Sequence, residues 1–158
     1  MKIAKEPYSE SLFKELMPLA QKCWDAETAY KAEHCAYDSD RNFKIQPDVA
    51  TYKQLAIAGR LVVLTLRREA ELVGYAIGFT YNSMHHQPVL CAIGDSFYVE
   101  PEARAYAAAL EDRFELEFES MGVETIGWPV TPDGPLHKLL AAKGFRPDDV
   151  VMEKRLCV

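Results

Sequence analysis

Asp95, His85 and His86 are the residues of this chain best placed to move a proton, the histidines just before and Asp95 within one apolar strand running from Val89 to Val99. An ordinary histidine, with a pKa near ~6.5, exchanges protons around neutrality. His85 and His86 lie in the loop Asn82 to Pro88 that enters the strand. Asp95 follows Gly94, and a glycine interrupting an apolar run predicts a β-bulge, which re-aims the side chains beside it. Asp95 can therefore take a proton directly or through water. It can equally serve as a polar strand residue that orients a loop, and His85 can equally be a solvated loop residue.

The same strand runs straight into a helix through Asp95-Ser96-Phe97-Tyr98-Val99-Glu100-Pro101-Glu102-Ala103-Arg104. Such a junction can turn backbone N–H groups and a helix dipole toward a phosphate, which points to a coenzyme, although a plain strand-to-helix connection has the same look. Metal chemistry is disfavoured. Cys23, Cys35, Cys91 and Cys157 are scattered with no C-x-x-C pair and read as reduced core thiols. His34-Cys35 and His85-His86 are sequence neighbours, whose side chains tend to point apart. Neither G-x-x-x-x-G-K-[ST] nor G-x-G-x-x-G occurs, so the usual nucleotide loops are missing.

The elements that must carry these residues follow from periodicity. A first strand, Lys2 to Glu6, precedes a helix that Ser9 or Ser11 can cap, with Leu12, Phe13, Leu16, Leu19, Cys23 and Trp24 at helical spacing. Pro18 should kink or divide that helix. The stretch Ala32 to Ile45 has no clear period and reads as a loop or ragged helix of the kind that covers sites. A second helix lies between Pro47 and Gly59, with Val49, Tyr52, Leu55 and Ala56 on one face. Leu61 to Leu66 and Leu72 to Tyr81 make a hairpin, ahead of the Val89 to Val99 strand.

Ala103 to Met121 is the clearest helix, striped by Ala107, Leu110, Phe114, Phe118 and Met121, with Glu111, Asp112, Glu115 and Glu119 largely outside the stripe. Gly122 ends it. A strand Val123 to Val130 follows, in which Pro129 must sit where pairing is broken. Asp133 can cap a short helix stopped by Gly144, and Val150 to Cys157 closes the chain as a strand. The order β-α-α-β-β-β-α-β-α-β predicts an α/β sheet, antiparallel first and with a strand-helix-strand crossover later.

At 158 residues, 49% of them hydrophobic, the chain suits one buried core, so residues 1–158 are expected to form a single domain. A net charge of -6 disfavours a general nucleic-acid binder and leaves basic amines as suitable partners. No apolar run approaches the ~20 residues of a membrane span, nor does a signal-peptide segment follow Met1-Lys2-Ile3-Ala4-Lys5. A cytoplasmic protein is expected.

This order, the Phe97 to Arg104 junction and the helix end Leu139-Leu140-Ala141-Ala142-Lys143-Gly144-Phe145 together resemble the GNAT superfamily of acyl-coenzyme A-dependent N-acetyltransferases. The likeness is firm from Leu61 to Leu156 and loose over the first helices. Leu72-Val73-Gly74-Tyr75-Ala76, Cys91-Ala92-Ile93-Gly94-Asp95 and Gly122-Val123 are similar to a branch common in phages and prophages.

The resemblance implies a GNAT-like mixed sheet whose parallel pair, Val89–Val99 and Val123–Val130, splays apart. Backbone groups of Phe97, Tyr98 and Val99 would then hold the pantetheine arm of acetyl-CoA or another short acyl-CoA, with an N–H near Phe97 facing the oxyanion. Arg104 stands at the family's Gln/Arg position, and the turn Ala105, Tyr106, Ala107 and Ala109 would hold pyrophosphate. The family pattern Arg-x-x-Gly-x-Gly/Ala has Ala107 in place of its first glycine. If that position requires positive φ, alanine costs about 1 kcal/mol or more, and about 1.4 kcal/mol is tenfold in affinity.

Asp95 and His85 are the implied catalytic pair, and Glu33 and His34 fall where the family shapes its acceptor pocket, although a surface role suits them too. The family's thiolate-protonating tyrosine is replaced by Leu140, leaving Tyr98, Tyr106 or water. The implied activity is transfer of an acetyl or short acyl group to a primary amine, borne by a small molecule or a protein, without a metal. Dimers are common in the family. The rival expectation is a GNAT-fold protein that has lost the coenzyme and binds a macromolecular partner.

Overall fold

The computed structural model describes residues 1–34, 45–84, 86 and 88–148. Strands β1 (Lys2–Lys5), β2 (Leu61–Arg68), β3 (Glu71–Asn82), β4 (Leu90–Val99) and β5 (Thr125–Gly127) form one sheet in chain order. The first three pairings are antiparallel, and β4 pairs with β5 in parallel. This is the mixed sheet expected from the sequence. The final strand, Val150 to Cys157, lies outside the described residues.

Helices cover both faces. On one face α3 (Ala107–Ser120) packs Leu110, Phe114 and Phe118 against Val62, Leu64, Leu66 and Ala76. On the other, α1 (Glu10–His34) presses Leu12, Phe13, Leu16 and Leu19 onto Val63, Tyr75 and Ile77. Alternate β2 residues serve opposite faces, as the two-residue period of a strand requires. Ser9 starts α1 by accepting the Leu12 N–H at 3.1 Å. The Arg67 guanidinium ties α1 to the sheet edge, donating to Glu15 at 2.6 Å and to Glu6 at 2.8 Å.

Several boundaries differ from the sequence expectation. Pro18 does not divide α1, which is one helix of 25 residues; the buried side chains from Leu12 to Leu19 hold both sides of the missing hydrogen bond in place. The helix α2 (Val49–Ile57) is capped by Asp48, whose carboxylate accepts the Thr51 N–H at 3.1 Å. The expected helix Ala103 to Met121 is two elements, a 3-10 helix Pro101–Tyr106 and then α3. The last short helix, α4 (Pro135–Ala142), is capped by Gly134, because Asp133 adopts a left-handed φ of 60° and donates its N–H to His137 Nδ1. Glu111 is fully buried, against the pattern that set it outside the α3 stripe. Among the described residues no helix is long and apolar enough to cross a membrane.

Candidate active site

The site begins with a break in the sheet. β4 pairs with β5 only through Cys91↔Thr125, Ala92↔Ile126 and Ile93↔Gly127, after which β4 runs on alone to Val99. The expected strand Val123 to Val130 is thus cut to three residues. Two features end it: Pro129 brings no N–H to a ladder, and the Trp128 ring turns onto Gly94, where an added Cβ would fall 2.1 Å from it. Trp128 also meets Phe97 edge-on at 5.9 Å and Phe114 at 5.1 Å.

Register then decides which main-chain groups of β4 face the break. The Glu100 N–H donates to Val73 O, which makes Val73 and Glu100 a hydrogen-bonded pair. Such pairs alternate along an antiparallel ladder. Tyr98 and Ser96 therefore bond to β3, while Phe97 and Val99 direct N–H and C=O away from β3, toward the side that β5 has left. The Phe97 carbonyl accepts the Cys23 thiol at 3.5 Å, so α1 crosses close to this edge.

The glycine-predicted bulge is present, and Asp95 is its extra residue: Ile77 pairs with Ser96 and Gly78 with Gly94, leaving Asp95 unpaired. The bulge sets Asp95 and Ser96 together in the wall of a cavity of 650 Å³ between α1, α2, β3 and β4. Ala20, Cys23, Trp24 and Glu27 line it from one face of α1. The Tyr52 hydroxyl, on α2, donates to the exposed Asp95 carboxylate. The Tyr75 and Ser96 hydroxyls share a bond of 2.8 Å at its base. Glu27 accepts Thr131 Oγ1 at 3.1 Å and pairs with Lys31 at 2.6 Å, joining α1 to the segment after β5.

Burial sets the charge state of several lining groups. It pushes the Cys23 thiol up to about 11, and raises the Tyr75 and Tyr52 phenols as well, Tyr52 further through the Asp95 carboxylate it bonds. These three groups stay protonated near neutrality. Tyr98, which donates to Glu100 at 3.1 Å, is pushed up to about 12, again mainly by burial.

The remaining sequence-selected residues separate into three groups. Arg104, Ala105, Tyr106 and Ala109 are exposed and Ala107 is half-buried, around the start of α3. Ala107 has φ -61° and ψ -42°, so alanine is unstrained there and no left-handed glycine is called for. The 3-10 path supplies the reason: the Ala103 N–H bonds to Glu100 O and the Ala107 N–H to Arg104 O, in place of an open glycine turn. Glu33 and His34 are exposed at the end of α1, His34 stacked on Tyr30 at 4.2 Å, and neither lines the cavity. His85 lies outside the described residues.

Sequence reasoning missed Glu27, Tyr52, Tyr75 and Trp128. Glu27 had a signal, since with Cys23 it extends the helical spacing of the Leu16 stripe. Among the described residues no three His, Cys, Asp or Glu side chains converge to hold a metal ion.

No family model and no curated protein matches this chain. Solved structures do. The tetramutant of BH1408 protein from Bacillus halodurans superposes with a TM-score of 0.72 at 13% identity, over 99% of this chain and 100% of that one. An aminoglycoside acetyltransferase, meta-AAC0020 from an uncultured soil metagenomic sample, in complex with sisomicin, gives 0.68 at 15%, over 99% and 95%. Ribosomal-protein-alanine N-acetyltransferase from Brucella melitensis biovar Abortus 2308 gives 0.65 at 16%, over 99% and 100%. At such identities the likeness is one of fold, and the chain has the fold of the GNAT acetyltransferases.

Proposed function

We propose that this protein is an acyl-coenzyme A-dependent N-acyltransferase that moves an acetyl or short acyl group to a primary amine. One observation carries the reading: the break after Ile93↔Gly127 leaves the Phe97 N–H and the Val99 main chain without a strand partner, beside the bulge that puts Asp95 into the cavity. An extended chain rich in amides fits against Phe97 and Val99 as an added strand would. Phosphate groups fit less closely. The N–H groups of Ala103 and Ala107 are already bonded, so Arg104 and the first turn of α3, whose capping residue Tyr106 makes no side-chain cap, would supply the positive end.

When bound, the coenzyme supplies the acyl group as a thioester. The chain's own groups do the rest. Asp95 takes one proton from the bound ammonium and passes it to water, leaving a neutral amine. The Phe97 N–H faces the oxygen that gains charge as the nitrogen bonds to the acyl carbon. Water carries the second amine proton to the sulfur as the C–S bond breaks, because α4 offers buried Leu140 where the family has its acid. The narrower likeness to the phage-type branch rests on its short sequence segments alone.

A second reading, a GNAT-fold binding protein without coenzyme, draws on the closed 3-10 turn at Pro101–Tyr106. Calorimetric titration with acetyl-CoA decides between them. Saturable binding, with a matching rise in Tm, supports the enzyme; no heat and no shift at millimolar ligand supports the binding protein.

A further inference from the structure

We propose that the cavity between α1, α2, β3 and β4 is built for a primary amine bearing a single positive charge on an apolar aromatic body, an arylalkylamine. The inference rests on the transferase reading only for what then happens to the amine. A cavity of 650 Å³ lies within the ~300–1,000 Å³ of small-molecule sites.

Among the described residues, unmatched charge in the cavity comes down to one group. Five of the described lining side chains can ionise: Cys23, Glu27, Tyr52, Tyr75 and Asp95. The thiol and both phenols are held neutral by burial, as described above. Glu27 is spent on Lys31 and on the Thr131 hydroxyl. Asp95 accepts only the neutral Tyr52 hydroxyl, and among the described residues no cation pairs with it. One unmatched carboxylate balances one ammonium. A second ammonium in the same cavity would lose hydration with only the already shared Glu27 carboxylate to offset it.

The rest of the wall selects the body. Phe13, Leu16, Met17, Ala20, Trp24 and Ile77 present hydrocarbon and aromatic faces. Gln46, Ser96 and the tyrosine hydroxyls are the wall's main hydrogen-bonding groups beside the two carboxylates, too few for the many hydroxyls of an amino sugar, so most of those would be left without partners, each at a cost in affinity. An aryl ring on a short alkyl chain buries its faces there while its ammonium reaches Asp95, one residue from Ser96 and two from Phe97. This sets the cavity apart from one suited to a polycation such as the sisomicin of meta-AAC0020.

The test is calorimetry on the full chain with 2-phenylethylamine, spermidine and sisomicin, alongside thiol release from acetyl-CoA with each. We expect 2-phenylethylamine to bind at least about tenfold more tightly than either polycation. Asp95→Asn should weaken it about tenfold or more. Met17→Lys, which brings a cation to a half-buried position on the wall, should do the same, so one folded variant suffices. Tighter binding of a polycation, no binding of 2-phenylethylamine, or unchanged binding in either folded variant overturns the assignment. Binding of 2-phenylethylamine without thiol release keeps the assignment and sinks the transferase reading, whereas thiol release with a polycation alone does the reverse.

Discussion

The Trp128 ring rests on the backbone of Gly94, so closely that a methyl group at that Cα would fall 2.1 Å from the indole. Gly94 and its cross-strand partner Gly78 together make a flat place on the α3 face, and an added Cβ at Gly78 would meet Phe114 at 2.7 Å. Gly94 admits the Trp128 ring that ends β5 pairing and Gly78 admits the Phe114 ring packed beside it, so the break in the sheet depends on Gly94 first.

Gly94→Ala should therefore destabilise the fold by about 3 kcal/mol through overpacking. For a chain of this size that is a fall in Tm of about 6–12 °C. In a Trp128→Leu background the same change should cost clearly less, because its collision partner is gone. Thermal unfolding of the two singles and the double checks this; equal costs in both backgrounds would place the strain elsewhere.

Ala107 stands where the family has glycine, yet its φ of -61° is ordinary helix. Restoring the glycine should then lower stability by about 0.5–1 kcal/mol through added freedom in the unfolded chain. Ala107→Gly should leave acetyl-CoA affinity within a few-fold of the parent. Differential scanning calorimetry and titration measure both, and a large gain in affinity would mean that the turn opens when glycine is present.

Legibility in the sequence followed periodicity and stopped where tertiary contacts decide. Sheet order, hairpin and bulge were readable because β2 and β3 are continuous apolar runs and Gly94 interrupts the next one. The shortening of β5 was half readable: Pro129 announced broken pairing, but nothing in the sequence put Trp128 onto Gly94. The 3-10 turn escaped because 3-10 and α spacing both suit the stretch from Ala103 to Tyr106. The cavity escaped for a different reason. Tyr52, Tyr75 and Asp95 come from three elements, and only the packing of α1 and α2 on the sheet brings them together.

Asp95→Asn tests the proposed chemistry. The amide keeps the size of the side chain and can still accept from Tyr52, but it takes no proton from an ammonium. Turnover, as kcat/KM for thiol release, should fall about a hundredfold or more. Because Asp95 is exposed, Tm should stay nearly unchanged. Undiminished turnover in the folded variant would remove Asp95 from the reaction.

Glu111 gives a pH dependence that does not rely on activity. It is fully buried under Lys143, 3.4 Å away, and accepts the Trp128 Nε1–H at 3.3 Å. Burial and the neighbouring Glu115 push its carboxyl up from the usual 4.5 to about 8; Lys143 opposes this but is shared with Asp112 and Glu115. In the unfolded chain the proton leaves near the usual 4.5, while the folded chain keeps it to about 8. The folded state thus binds more protons across that window, so this group's contribution to stability falls as pH rises through it and levels off above. Glu111→Gln keeps an acceptor for Trp128 and removes the charge. Urea unfolding at pH 5 to 9 should therefore show a shallower decline with pH in the variant, by up to about 1.4 kcal/mol per pH unit. Parallel profiles would mean that Glu111 is ionised in the folded protein throughout, with Lys143 as its full counter-charge.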